Sequence, residues 1–409
     1  MKKLDFVPVI LGSDVNAYGM AKSFHQQYGV KSVAVGKAQL FATNYSKIIT
    51  VDVCDDFDHP DVFVPKLISV AKELKKTTAK LVLIASSDNY VELIVRNKEV
   101  LAEYYVTPFV DEDLLNCLIY KEKFYETCDK HNLDYPKTVI CTKENKDQLQ
   151  LPFEFPVVVK PSDSLLYANC SFAGKKKAYV LQDKKGFKEV INKIYSTSYD
   201  KNLIIQEYIP GDDTAMRVLN CYCGQDKKVK MMCLGRPLLE DYTPVLIGNY
   251  TAIINEYNEE IYSKYKDFLE QIGYIGYANI DMKYDERDGK YKVFEINLRQ
   301  GRSSYFVTGS GYNLAKYLVE DYVYNGGSSE LVLGRNESLW LGIPKGVLLK
   351  YLEDEELKAY VQKLIKQKKY CYTLYYNKDF NLIRYLKNSL YYQAYHKRYA
   401  QYFKNRDID

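Results

Sequence analysis

The sequence predicts an α/β protein: a parallel sheet flanked by helices, a mixed region built round an antiparallel hairpin, and a C-terminal helical extension. Three observations predict this order. Residues 1–115 alternate short apolar runs with amphipathic ones, the pattern of a sheet covered by helices. Residues 277–298 place two strand-like runs about Asp288-Gly289, a strong reversal signal. The tail from Lys345 to Asp409 holds 14 Lys or Arg against 7 Asp or Glu, with 12 of the chain's 41 tyrosines. It reads either as helices with a solvated basic face or as a surface for an anionic substrate or membrane.

Taken in order, Val7–Leu11 is the first strand and leads through Gly12-Ser13-Asp14 into a helix over Asn16–Tyr28. Lys31–Val35, Ile48–Val51 and Leu81–Ala85 are further strands, with helices near Val62–Leu74 and Asn89–Tyr104. The Gly12–Gly19 loop lies where such sheets bind ligands, yet it lacks the GxGxxG spacing and reads as a structural turn. A helix over Glu122–His131 opens the next region. Strands follow at Thr138–Cys141, Pro156–Lys160 and Lys177–Leu181, then a helix at Lys184–Tyr195 and a strand at Leu203–Glu207. Strands resume up to about Tyr324, interrupted by a helix near Glu259–Ile272. The expected units are residues 1–115, 116–205, 206–330 and 331–409.

Composition removes several classes. With 47% hydrophobic and 27% charged residues the chain is globular. A net charge of +4 does not point to nucleic acid. No apolar run reaches the roughly 20 residues of a membrane-spanning helix. Met1–Gly12 reads as a strand and not a signal peptide. The nine cysteines form no CxxC pair and the four histidines do not cluster, so reduced thiols of a cytoplasmic protein are expected. No oligomeric state can be read.

Three stretches carry chemistry. In the hairpin, strict alternation groups Val293, Glu295 and Asn297 on one face and Phe294, Ile296 and Leu298 on the core face. Asn279 and Asp281 share a face on the partner strand, opposite Ile280 and Met282, and pairing about the turn sets Asp281 beside Glu295. Asp281, Glu295 and the Asn297 amide oxygen would suit Mg²⁺, which takes few protein ligands plus phosphates. A polar face on an exposed hairpin is the alternative. Lys160 ends the β-branched run Pro156–Lys160 and can set an ammonium over phosphate oxygens, or simply end an edge strand. Leu203–Asp213 is an apolar strand turning at Pro210-Gly211, with backbone groups free for an adenine edge and an acid for ribose hydroxyls.

Together these pieces resemble the ATP-grasp superfamily over about residues 115–325, preceded by a Rossmann-like domain. The resemblance implies that Lys121 and Lys160 contact ATP phosphates and that Gln206, Glu207, Tyr208 and Ile209 form an adenine hinge. It implies that Asp213 binds ribose and that Asp281, Glu295 and Asn297 hold Mg²⁺. Arg299 matches a superfamily arginine that steadies the substrate anion, with Arg302 beside it. The phosphate-covering loop is commonly glycine-rich, whereas residues 162–177 contain only Gly174; Ser162, Ser164 and Lys175–Lys177 would serve instead.

A narrower similarity runs nearly end to end. Phe6–Asp14, Gln206–Asp213, Phe294–Ser304, Trp340 and Ile343-Pro344-Lys345 look like the D-aspartate ligases of Gram-positive cell-wall synthesis. That similarity implies activation of the β-carboxylate of D-aspartate as an acyl phosphate and its transfer to a lysine amine of a nucleotide-linked muropeptide. No protein nucleophile is then required. Another ATP-grasp ligase of dipeptide or carbamoyl-phosphate type, a non-catalytic nucleotide-binding protein and an oxidoreductase are the alternatives.

Overall fold

In the computed structural model, which describes residues 4–163, 166–167, 169–244, 246–326 and 330–405, the chain folds round three sheets. The first is parallel, its strands ordered Ile49–Val53, Ser32–Gly36, Leu4–Leu11, Thr78–Ala85. Helices cover both faces, so Val9, Ile10 and Leu11 are all fully buried and the run is apolar throughout. The single helix expected over residues 89–104 is two, Asp88–Arg96 and Lys98–Ala102. The break falls at Asn97, whose side chain donates to the Leu93 carbonyl at 2.8 Å in competition with the backbone.

The second sheet is antiparallel, with strands Thr138–Cys141, Leu203–Glu207, Val157–Pro161 and Tyr179–Leu181 side by side. Helix Lys184–Tyr195 covers it through Phe187, Ile191 and Ile194. Gln206 and Glu207 therefore end a strand of this sheet.

The third sheet has eight strands and carries the hairpin Gly276–Asp285 and Lys290–Asn297 at one edge. The C-terminal extension contributes strands as well as helices: Leu339–Leu341 and Tyr370–Tyr372 prolong this sheet at its other edge. Helices Lys345–Tyr351, Glu355–Lys366 and Leu382–Tyr402 then close over Leu239, Ala252 and Ile254.

Polar clasps hold the first sheet against the third. Asn16 donates from Nδ2 to the Ser86 and Gln300 carbonyls at 3.1 Å each, and Gln300 donates back to the Ala85 carbonyl at 2.8 Å. The buried Lys22 ammonium donates to the carbonyls of Tyr372, Thr373 and Tyr375 at 2.7, 3.1 and 2.8 Å. Asp379 accepts from the Tyr18 and Ser46 hydroxyls at 2.7 and 2.9 Å and pairs with Arg384 at 3.2 Å. Arg384 in turn donates to the Ala42 and Asn44 carbonyls.

Asp379 and Arg384 are both buried, so removing one charge strands the other. Asp379→Ala is expected to lower stability by roughly 3–5 kcal/mol, whereas Tyr18→Phe, which deletes one hydrogen bond, should cost about 1 kcal/mol. Urea unfolding of the two variants checks this order through their midpoints.

Candidate active site

The hairpin pairs Asn279 with Asn297, Ile280 with Ile296 and Asp281 with Glu295. Its register then slips: Met282 pairs with Val293, leaving Phe294 as the extra residue of a β-bulge. The bulge corrects two of the expected faces. Val293 is fully buried with Ile296 and Leu298, while Phe294 turns into the cleft, its ring 5.1 Å from the Lys160 ammonium. Strict alternation fails because two residues of one strand oppose a single residue of the other.

Asp281 is held by three donors. The Tyr250 hydroxyl reaches Oδ1 at 3.0 Å, and the Asn279 and Asn297 amides reach Oδ2 at 2.9 and 3.2 Å. Burial and then the charge of Glu295 still push its pKa up to about 7. Glu295 behaves oppositely. The Lys121 ammonium, 3.0 Å from Oε2, outweighs burial and holds Glu295 down to about 2. Burial opposes the Lys121 charge, but Glu295 overcomes it and keeps that ammonium above its usual range.

Lys160 completes the cluster. It donates to the Gln206 Oε1 at 3.3 Å, and burial followed by repulsion from Lys121 holds its pKa down to about 8. Two ammonium groups thus share one carboxylate. In the covering segment, Lys175 donates to the Cys170 carbonyl and Lys176 is tied through its backbone to the Tyr167 and Tyr179 hydroxyls. The charge of Lys177 reaches Lys160 and Glu295. Ser162 lies beside Tyr199, and Ser164 is outside the described residues.

The residues expected to form an adenine hinge are engaged differently. The Gln206 amide is buried between Tyr125, Thr138 and Lys160. The Glu207 carboxylate is tied to Arg287 at 3.0 Å, to Lys292 at 3.2 Å and to the Lys137 amide at 2.9 Å. Their side chains are therefore committed to protein partners. Tyr208 lies under the Lys283 ammonium, and Ile209 is buried. Asp213 accepts from the Glu240 amide and the Tyr242 hydroxyl. Burial raises both Asp213 and the neighbouring Glu240, the latter up to about 8.

The arginines differ in engagement. Arg299 pairs with Asp88 at 2.6 Å and donates to the Asn297 Oδ1 at 3.3 Å. Arg302 makes no hydrogen bond or ion pair among the described residues and lines a narrow cavity of about 30 Å³ with Asp241, Tyr250, Trp340, Tyr391 and Tyr395. Tyr250 belongs to both places, lining the cavity and bonding Asp281. Asp14 caps helix Val15–Tyr28 through the Ala17 amide, within the field of both arginines. The loop read as a structural turn thus also borders the site.

Among the described residues no three His, Cys, Asp or Glu side chains converge on a metal position. The pair Asp281 and Glu295 nonetheless fits Mg²⁺, which needs one or two carboxylates with water and phosphate for the rest. The elevated Asp281 fits too, because a divalent charge would offset the repulsion between two facing carboxylates. Asn297 presents its amide nitrogen to Asp281 and its oxygen to Arg299, so ligation by that oxygen requires the amide to turn over. Tyr250, Glu240 and Asp241 were invisible in the sequence, since each enters from a strand or loop remote from the hairpin.

Residues 120–303 match the ATP-grasp domain family. The chain is 46% identical over 408 residues to a D-aspartate ligase of Enterococcus faecium (strain Aus0004), covering 98% of this chain and 97% of that one. Its fold is similar to that of N5-carboxyaminoimidazole synthetase from Staphylococcus aureus complexed with ADP, with TM-score 0.59 at 15% identity and 88% of each chain covered. It is also similar to the biotin carboxylase domain of Hydrogenobacter thermophilus 2-oxoglutarate carboxylase in complex with MgADP. There the TM-score is 0.61 at 11% identity, over 81% of this chain and 72% of that one.

The depressed Lys160 would make the binding of any phosphate it meets depend on pH. Below about 8 the ammonium is already charged, and above it a proton must be taken up before a phosphate is paired. Affinity for ATP is therefore expected to fall as pH rises through 8, with proton uptake appearing in calorimetry across buffers of different ionisation enthalpy. Lys160→Met should bind more weakly throughout and lose this pH dependence.

Proposed function

The chain belongs to the D-aspartate ligase family of ATP-grasp enzymes, and from that premise we propose that it activates the β-carboxylate of D-aspartate with ATP. The activated acid is then joined to the lysine side-chain amine of a nucleotide-linked muropeptide, giving ADP and phosphate. The observation that carries the reading is the adjacency of two places. Lys121, Lys160 and the facing pair Asp281 and Glu295 suit phosphates. The cavity with its unpaired Arg302 opens beside them through Tyr250.

In the first step a carboxylate oxygen attacks the γ-phosphorus and ADP leaves, forming the acyl phosphate. Both reactants are anions, and Lys121 and Lys160 offset their repulsion. Asp281 and Glu295, with Asn297 once its amide turns over, would hold a magnesium ion, which would supply further positive charge to phosphate oxygens. In the second step the amine attacks the acyl carbon, phosphate leaves, and Arg299 stabilises the oxyanion. Ser162 and Lys175–Lys177 cover the phosphates and keep water from the acyl phosphate. Gln206 to Ile209 present backbone groups to adenine, and Asp213 takes the ribose.

The substrate acid has two carboxylates and one ammonium. Arg302 would pair with the carboxylate that is not activated, and Asp241, which lines the same cavity and lies 3.8 Å from Arg398, would take the ammonium. The activated carboxylate then points to the Tyr250 end. Reversing the stereocentre separates these three contacts, which makes the site selective for one enantiomer. Among the described residues no helix is long and apolar enough to cross a membrane, and the reaction belongs in the cytoplasm with ATP and the acceptor.

Glu295→Gln keeps the shape of the strand and removes one charge from the metal position. Its turnover should fall on the order of a hundredfold or more while the melting temperature holds, and wild-type ATP turnover would reject the metal role. A phosphate-release screen of D- and L-amino acids, with mass spectrometry of the product, tests the substrate. D-aspartate with a lysine-bearing muropeptide should give the aspartyl adduct, D-alanine should fail for leaving Arg302 unpaired, and L-aspartate should fail on geometry. Turnover with a different amino acid would leave the ligase chemistry and reject D-aspartate.

A further inference from the structure

Helix Leu382–Tyr402 buries Arg384, Asn388, Tyr392, Tyr395 and Tyr399 along one stripe. At 100° per residue, the side opposite that stripe in the first half of the helix holds Leu382, Leu386 and Leu390, with Ile383 at its edge. An outward helix face is ordinarily polar. Here these four side chains are 61, 54, 71 and 49% exposed, and Phe380, just ahead of the helix, is 54% exposed.

The surface continues onto the loop before the strand Ile49–Val53. Arg384 fixes that loop through the Ala42 and Asn44 carbonyls, Phe41 stacks on Tyr391 at 4.4 Å, and Leu40 and Tyr45 stand exposed. Single exposed leucines are unremarkable, but a contiguous apolar face on this scale marks an interaction surface. Its rim is basic. Lys47, Lys378, Lys387 and Lys397 are exposed, with Lys387 lying over the Tyr45 ring. Between residues 377 and 405 the one acid is Asp379, which is buried and paired with Arg384.

We propose that this face docks the protein on an anionic membrane surface, the leucines entering the headgroup boundary and the lysines meeting lipid phosphates. Charge decides against a second copy of the chain, because two-fold pairing would bring like rims of lysine together. The leucine face lies on the opposite side of the helix from Tyr392 and Tyr395, which line the cavity. The surface is separate from the ligase chemistry and does not depend on which acid is used.

The test is co-sedimentation of the full chain with vesicles of phosphatidylcholine alone or mixed with phosphatidylglycerol. Wild-type protein should pellet with the anionic vesicles and several-fold less with neutral ones or at high salt. Leu386→Glu with Leu390→Glu should reduce pelleting about tenfold or more, and Lys378→Glu with Lys387→Glu several-fold. Both pairs are surface changes and should leave phosphate release from soluble substrates at the wild-type level. Failure of wild-type protein to pellet with anionic vesicles, or equal pelleting of the leucine pair, overturns the proposal. A dimer by light scattering that the leucine pair dissolves, without vesicle binding, overturns it in favour of self-association.

Discussion

Two carboxylates face each other across one hairpin, and the surrounding structure is arranged to make that tolerable. Asp281 and Glu295 are cross-strand partners, and like charges opposed in this way repel. The protein resolves the conflict asymmetrically. Glu295 is given Lys121 and stays ionised, while Asp281 is given only neutral donors and retains a raised pKa. The second ammonium, Lys160, is left with less negative charge than it could use. The cluster is left unbalanced, with one carboxylate ionised, the other held up and one ammonium depressed.

Much of this was legible in the sequence because it is local. The Asp288-Gly289 reversal puts Asp281 and Glu295 on one hairpin, although the bulge at Phe294 is what makes them direct partners, and the β-branched run before Lys160 places that lysine on the small sheet beside Gln206. The exchange of Val293 and Phe294 was not legible, since nothing in the residue pattern signals the bulge. Tyr250, Glu240 and Asp241 were hidden for another reason. They lie on or between the strands Val229–Glu240 and Tyr250–Glu256, which meet the hairpin only through the order of the eight-stranded sheet. The tail's tyrosines were counted but not placed, because composition does not reveal which of them turn toward a cavity.

The three sheets divide the work. The antiparallel small sheet brings Lys160 and the hinge segment, the large sheet brings the carboxylates, and the parallel sheet closes the far side through Asp14 and the Asn16–Gln300 clasp. The extension adds a wall that neither the hinge nor the hairpin can supply, with Trp340 and the tyrosines of the last helix round Arg302.

That wall is fastened across great distances along the chain. Tyr18 meets Asp379 over 361 positions, and Lys22 meets the Tyr372 carbonyl over 350. A ribosome adding residues in sequence therefore exposes the first helix on the order of tens of seconds before its partners exist. During that interval the cavity lacks a side, and Lys22 has only water to bond. The cluster of Lys121, Lys160, Asp281 and Glu295 is synthesised well before Trp340 and the tyrosines that wall the cavity round Arg302. The order of synthesis thus delays the enzyme's full competence until its last helix has arrived.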